Sequence, residues 1–240
     1  MLDSRADDEF EECLLKARFL TGLDPGFQLF ETLWAQRGEA RGLDEHLARL
    51  AHSARALGFA FDGEQVRAAV AATLAALPAG TPSRLRIALA HGGEIAITHA
   101  PLAPLPAGPV GLLIAAQPLP DHRPLAAHKT TLRQHYDAGV QAAERAGAFD
   151  SLFFTADGRL VEGGRSSVFL LLDGRWCTPP LHDGALPGVM RARLLADPGW
   201  ATVERSLTLA DLRRAQAIVV CNALRGVLPA HLLSRELSHA

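Results

Sequence analysis

The chain has 240 residues, 48% of them hydrophobic, and a formal net charge of −2 at neutral pH. That length buries one large core or two modest ones, and that charge supplies neither a basic field for nucleic acid nor an acidic tail. Three dispersed cysteines, Cys13, Cys177 and Cys221, form no disulfide framework and no CxxC metal site, so no metal is expected and a reducing cytoplasm suits the chain.

The first residues, Met1 to Glu9, are acidic and polar, unlike a signal peptide. No uncharged apolar run approaches the roughly 18 residues of a membrane span. Over residues 9–20, Phe10, Leu14 and Leu15 fall at helical spacing, with acids early and Lys16 and Arg18 late, which predicts a short helical leader over 1–25. From Phe27 to Leu33 a period-two pattern predicts a strand. Leu43, Leu47, Leu50, Ala54 and Leu57 predict a helix capped by Gly58, with His46, Arg49 and Ser53 as a second, polar stripe beside the apolar one. A second helix is expected from about Glu64 to Leu77, then strands through Leu85–Leu89 and Ile95–Ile97.

Seven of the 15 prolines fall between Pro101 and Pro124, around one apolar strand from Val110 to Ala116. Residues 118–125 are expected to be a linker between an α/β domain over 26–117 and a second over 126–240. In the second half the spacing predicts a helix from Arg133 to Gly147. Strands follow at Ser151–Phe154, Leu160–Glu162, Ser167–Leu172 and Arg175–Thr178, then a helix opened by Leu186-Pro187-Gly188 and a strand from Ala217 to Cys221. Both halves mix strands with helices, so the class is α/β or α+β.

Only two of the 24 basic residues are lysines, Lys16 and Lys129. Where arginine otherwise serves for positive charge, a mid-chain lysine suits either a snorkelling surface position or chemistry that arginine cannot do, since only lysine loses its proton readily and forms a Schiff base. Glu162, before Gly163-Gly164, suits a solvated turn or an acid beside a ring nitrogen. Pro187-Gly188-Val189-Met190-Arg191 starts a helix, whose free N–H groups favour anions. Cys221-Asn222-Ala223-Leu224 runs from a strand into a turn where ligands often bind, and Arg49 suits a surface position or a phosphate clamp. Together these are the parts needed to hold pyridoxal phosphate.

In order along the chain, Phe30-Glu31-Thr32, His46-Leu47-Ala48-Arg49-Leu50, Lys129 with Arg133, Glu162-Gly163-Gly164, Leu186 to Arg191 and Cys221 to Leu224 resemble the class IV aminotransferase family. These fold type IV pyridoxal-phosphate enzymes include branched-chain and D-amino-acid aminotransferases and aminodeoxychorismate lyase. The resemblance implies two α/β domains with pyridoxal 5'-phosphate in the cleft between them, a homodimer, Lys129 as the Schiff-base lysine and Glu162 as the partner of the pyridine nitrogen. It also implies that Arg49 and the N–H groups of Val189, Met190 and Ala223 hold the phosphate, and that Asn222 shapes its second turn.

The aminotransferases commonly carry hydroxyls where this chain has Met190 and Ala223, so the pattern looks more like the lyases. The leader is similar to the tail of aminodeoxychorismate synthase component I where that protein is fused to its lyase, which makes a synthase subunit an expected partner. Ser167 and Leu132 stand where relatives have asparagine. The expected activity is conversion of 4-amino-4-deoxychorismate to 4-aminobenzoate and pyruvate. Alternatives are a transaminase of the same fold and a silent partner of a synthase subunit. Arg133, Arg165 and Arg225 are the candidates for the substrate's carboxylates.

Overall fold

The computed structural model describes residues 26–121 and 123–233; the expected leader, with Cys13 and Lys16, lies outside them. The first part comprises β1 (Leu29–Gln36), β2 (Glu39–Ala40), α1 (Leu43–Leu57), α2 (Gly63–Ala76), β3 (Ser83–Leu89) and β4 (Ile95–Pro101). Its strands form an antiparallel sheet in the order β2-β1-β3-β4. The alternation read from the sequence is the reason for its two faces. Leu29, Leu33, Leu85, Ile87 and Leu89 point to the helices and join Leu47, Leu50, Val66 and Val70 in one core. Gly58 ends α1 in the left-handed region at φ 73°, which glycine adopts without a Cβ clash.

The polar stripe of α1 is not a solvated face: His46 and Ser53 are buried, and Arg49 is nearly so. A helix packed on two sides carries an apolar stripe to its own sheet and a polar stripe to whatever covers the other flank. Sequence periodicity shows the stripes without showing the cover.

The second part comprises β5 (Val110–Ile114), α3 (Gln134–Arg145), β6 (Asp150–Phe154), β7 (Arg159–Gly163), β8 (Ser167–Leu172), β9 (Arg175–Thr178), α4 (Val189–Ala196), β10 (Val203–Glu204), β11 (Leu207–Thr208), α5 (Leu209–Arg214), β12 (Ala217–Asn222) and β13 (Gly226–Leu232). Its mixed nine-stranded sheet runs β10-β9-β8-β12-β13-β5-β6-β7-β11. The chain changes sheets between β4 and β5, within residues 102–109, earlier than the expected linker. β5 pairs with β13 and β6, not with the first sheet. Residues 118–125 are also anchored: Leu119 is buried, and its N–H donates to Phe154 O at 2.8 Å.

β13 was not legible from its residues because Pro229 argues against a central strand. Its pairing explains the exception. Pro229 faces only β12, and the parallel pairing with β5 begins one residue later at Ala230.

Lys129 is held where the two sheets meet. Phe30 N–H donates to Lys129 O at 3.0 Å, Thr131 N–H to Gln28 O at 2.9 Å, and Thr130 bridges Leu29 at the start of β1. Among the described residues no helix is long and apolar enough to cross a membrane.

Phe169 is fully buried with Leu194, Val219 and Cys221, between the large sheet and α4. Phe169→Ala is expected to lower stability by about 4 kcal/mol, read as a shift of the urea midpoint, because the cavity under α4 cannot close without moving the helix.

Candidate active site

One cleft of about 730 Å³ opens between the two sheets. Arg49, Lys129, Glu162, Val189, Met190, Asn222 and Ala223 all line it, although they span most of the sequence.

Lys129 carries its Nζ 4.7 Å from the centre of the Phe30 ring. Withdrawal from solvent disfavours its charged form, and the neighbouring Arg49 and Arg133 add repulsion. Glu31 and Glu162 oppose them incompletely, so the ammonium is pulled down to about 7. A neutral amine near physiological pH is a nucleophile and a base.

Glu162, at the end of β7, is buried rather than solvated. Tyr136 Oη donates to its Oε1 at 2.8 Å, and Leu186 N–H donates to its Oε2 at 3.1 Å. Burial pushes its carboxyl above the ordinary value, against these two donors and the charges of Lys129 and Arg123. The following turn is tight. A Cβ on Gly163 would overlap the side chains of Asp150 and Ser166, and one on Gly164 would come within 2.6 Å of Val140 Cγ2. Asp150 organises this turn from β6, accepting from Ser151 N at 2.9 Å, Ser166 Oγ at 2.6 Å and Arg165 N at 3.0 Å.

Arg49 reaches across the cleft from α1. It grips Glu31 through Nε at 2.8 Å and Nη2 at 2.6 Å, and its Nη1 donates to Pro187 O at 2.9 Å, just ahead of α4. His46 Nδ1 lies 2.7 Å from Glu31 Oε2. Burial alone would raise the Glu31 carboxyl, but the Arg49 charge and the bonds from His46 and Arg49 outweigh it and hold it at about 2. Glu31 therefore stays ionised, buried and paired.

α4 begins at Val189 with no side-chain cap, and Ala192 is the first of its N–H groups bonded to Gly188. The leading N–H groups are therefore open to an anion. Gly188 permits the close approach of β8, since a Cβ there would sit 2.9 Å from Ser167 Oγ. Asn222 holds the other turn, accepting from Leu224 N at 3.1 Å and Arg225 N at 2.8 Å while donating to Arg165 O at 3.1 Å. The Cys221 thiol below it is pushed up to about 12 by burial, which makes it inert.

The three arginines expected for substrate carboxylates are otherwise engaged. Arg133 bonds Asp137 and Gly164 O, Arg165 bonds Phe149 O and pairs with Glu144, and Arg225 points away to Ala103 O. Two that sequence reasoning passed over face the cleft instead: Arg84 and Arg86 on β3, neither in an ion pair among the described residues. Arg86 stacks 3.9 Å over Phe30, beside Lys129. The signal was present in the alternation of Ser83 to Leu89, which sends Leu85 and Ile87 inward and the two arginines to the opposite face. Glu31, Tyr136 and Arg123 were likewise passed over; only packing shows what each touches. No group of three or more His, Cys, Asp or Glu among the described residues could hold a metal ion.

Comparison with known proteins gives the family and the fold. The family described as Amino-transferase class IV matches residues 28–233. A Mesorhizobium loti structure provisionally named an amino-acid aminotransferase is 36% identical, with a TM-score of 0.79 over 86% of this chain and 100% of that one. The 4-amino-4-deoxychorismate lyase of Pseudomonas aeruginosa is 29% identical, with a TM-score of 0.72 over 86% of this chain and 83% of that one. A Mycobacterium tuberculosis protein named bifunctional aminodeoxychorismate lyase / D-amino acid transaminase is 28% identical over 87% of this chain and 82% of its own length.

Two measurements check the electrostatics. Trace acetylation of the protein without ligand should show Lys129 reactivity rising through about pH 7 and flat above it, far below an ordinary lysine at 10.5. Glu31→Gln leaves Arg49 buried without its counter-charge and should cost about 3 kcal/mol in urea unfolding at neutral pH. Because the Glu31 carboxyl is lowered from 4.5 to about 2, its contribution is full above pH 4.5 and lost as pH falls towards 2. The wild-type and variant midpoints should converge there.

Proposed function

The chain belongs to the class IV aminotransferase family, and from that premise we propose that it is a lyase converting 4-amino-4-deoxychorismate to 4-aminobenzoate and pyruvate. Its fold is that of the fold type IV enzymes, and its cofactor is pyridoxal 5'-phosphate. The residues of the cleft fit that group: an amine near neutrality, a buried carboxylate with an ordered geometry, and an uncapped helix start beside an arginine. When bound, pyridoxal phosphate supplies an aldehyde carbon for amines and a protonated ring that draws electrons from the adjoining carbon.

In this reading Lys129 would hold the cofactor through its Nζ, and the same amine, when free, would take the proton from the amine-bearing carbon of the substrate. Glu162 would hold the proton on the ring nitrogen. Arg49, with guanidinium protons beyond those given to Glu31 and Pro187, binds the phosphate together with the N–H groups of Val189, Met190 and Ala223, and Asn222 keeps the second turn in shape. The cleft would lie between two domains, in a homodimer.

Arg84 and Arg86 carry the choice of reaction. The substrate of the lyase bears two carboxylates, one on the ring and one on the enolpyruvyl ether. Two arginines that line the cleft with Lys129, neither in an ion pair among the described residues, suit such a dianion. Proton removal at the amine-bearing carbon and loss of the enolpyruvyl ether, which leaves as pyruvate, produce an aromatic ring. The atoms balance with no second substrate and no oxidant. The apolar Met190 and Ala223 at the phosphate turns support the same reading. A transaminase is the second reading, favoured by the 36% identity to the Mesorhizobium loti protein.

The holoenzyme given 4-amino-4-deoxychorismate should release 4-aminobenzoate and pyruvate in equal amounts without an added keto acid. Keto-acid turnover from D- or branched-chain amino acids, with no 4-aminobenzoate, would sink the lyase reading. Arg86→Ala should raise KM about tenfold, the loss of one charge-assisted pair. Borohydride reduction and peptide mapping should place the pyridoxyl label on Lys129.

A further inference from the structure

Tyr136 is the chain's single tyrosine, and it stands on α3 with its hydroxyl 2.8 Å from Glu162 Oε1. Beyond it, Arg123 Nη1 approaches the same hydroxyl at 3.4 Å. The Arg123 guanidinium is braced by Gly184 O at 2.9 Å and Asp183 O at 3.1 Å, and only a glycine at 184 leaves room for it. An arginine can only donate, so the one hydroxyl proton of Tyr136 is directed at Glu162. Leu186 N–H meets the other oxygen. Each oxygen of the Glu162 carboxylate thus has one fixed donor.

We propose that Tyr136, oriented by Arg123, is a positioning residue that keeps Glu162 ionised and aimed into the cleft. The proposal rests on the reading of Glu162 as partner of the cofactor's ring nitrogen. A glutamate that took up a proton of its own could not hold one on that nitrogen, and the ring would lose its pull on electrons. Among the described residues, charged and titratable groups face Glu162 from several elements, with Arg133 packed over the Tyr136 ring and bonded to Gly164 O. Tyr136 comes from α3, Arg123 from the segment before it, and Lys129 from the stretch paired with β1, while β6 sets Phe153 opposite. Burial works against the charged carboxylate, and these donors and cations oppose it. Burial and the Glu162 charge push the Tyr136 phenol up, so it remains a donor at every working pH.

Tyr136→Phe keeps the ring packed on Phe153, 4.9 Å away, and removes only the hydroxyl. Infrared titration of the cofactor-free protein with labelled glutamate, with Glu162→Gln subtracted to isolate one carboxyl, reads the charge of Glu162 directly. Its proton uptake should move up by about one pH unit in Y136F, the loss of one hydrogen bond to a charged group. In the holoenzyme the acid limb of kcat should move the same way, with kcat lower by about tenfold and KM nearly unchanged. In the E162Q background, Y136F should change neither. Arg123→Met, which keeps a long side chain without a donor, should move the same titration by less, and it serves if Y136F does not fold. An unmoved carboxyl titration, or effects of Y136F and E162Q that simply add, would overturn the proposal. A holoenzyme indifferent to E162Q would overturn the reading of Glu162 beneath it.

Discussion

The grip of Arg49 on Glu31 is the interaction on which the cleft depends. It ties β1 to α1 within the small sheet's layer, and through Pro187 O it reaches the loop that starts α4 in the other part of the molecule. A carboxylate this deeply buried is tolerable only because two donors and a full positive charge meet it. The stretch after residue 127 adds a backbone tie between the same two regions, pairing with the start of β1. Lys129 and the start of α4 are therefore held to one strand by different means, a side-chain fork in one case and a short ladder in the other.

The charges of the cleft are balanced unevenly, and the unevenness has chemical content. Glu31 is pinned in its ionised form, whereas Glu162 is pushed the other way by burial and rescued in part by its donors. Lys129 stands between them among several arginines, so its proton is loosely held. Fixed arginines around a titratable lysine keep positive charge in the cleft while leaving one amine free for chemistry. Arginine at 22 of the chain's 24 basic positions is consistent with that division.

The elements themselves were mostly legible. The Leu43–Leu57 helix, the Ser167–Leu172 strand and the Arg175–Thr178 strand follow from periodicity and turn residues, because local patterns decide them. β13 was hidden by Pro229, which a strand tolerates when one neighbour is missing at that residue, and that is a fact about pairing. The chain passes between the sheets within residues 102–109, ahead of the proline-rich 118–125 stretch, because prolines mark stiffness of the chain and not which sheet it joins. Arg84 and Arg86 were visible as alternation, but which face of β3 looks on Lys129 depends on where the second sheet lies.

The sequence by itself determined the residue types and their order: one mid-chain lysine, a Glu-Gly-Gly turn, an uncapped helix start, and the pattern of the class IV aminotransferase family. Those are local properties, set by side-chain chemistry and by the few residues on either side. Only the tertiary structure decided that Arg49 bonds a carbonyl 138 positions away, that Glu162 is buried with Tyr136 as its donor, and that Lys129 is half-buried among arginines. Burial and electrostatics depend on everything within several ångströms, whatever its place in the chain. That is why the chemistry of Lys129 was one of two readings in the sequence and a defined environment in the fold.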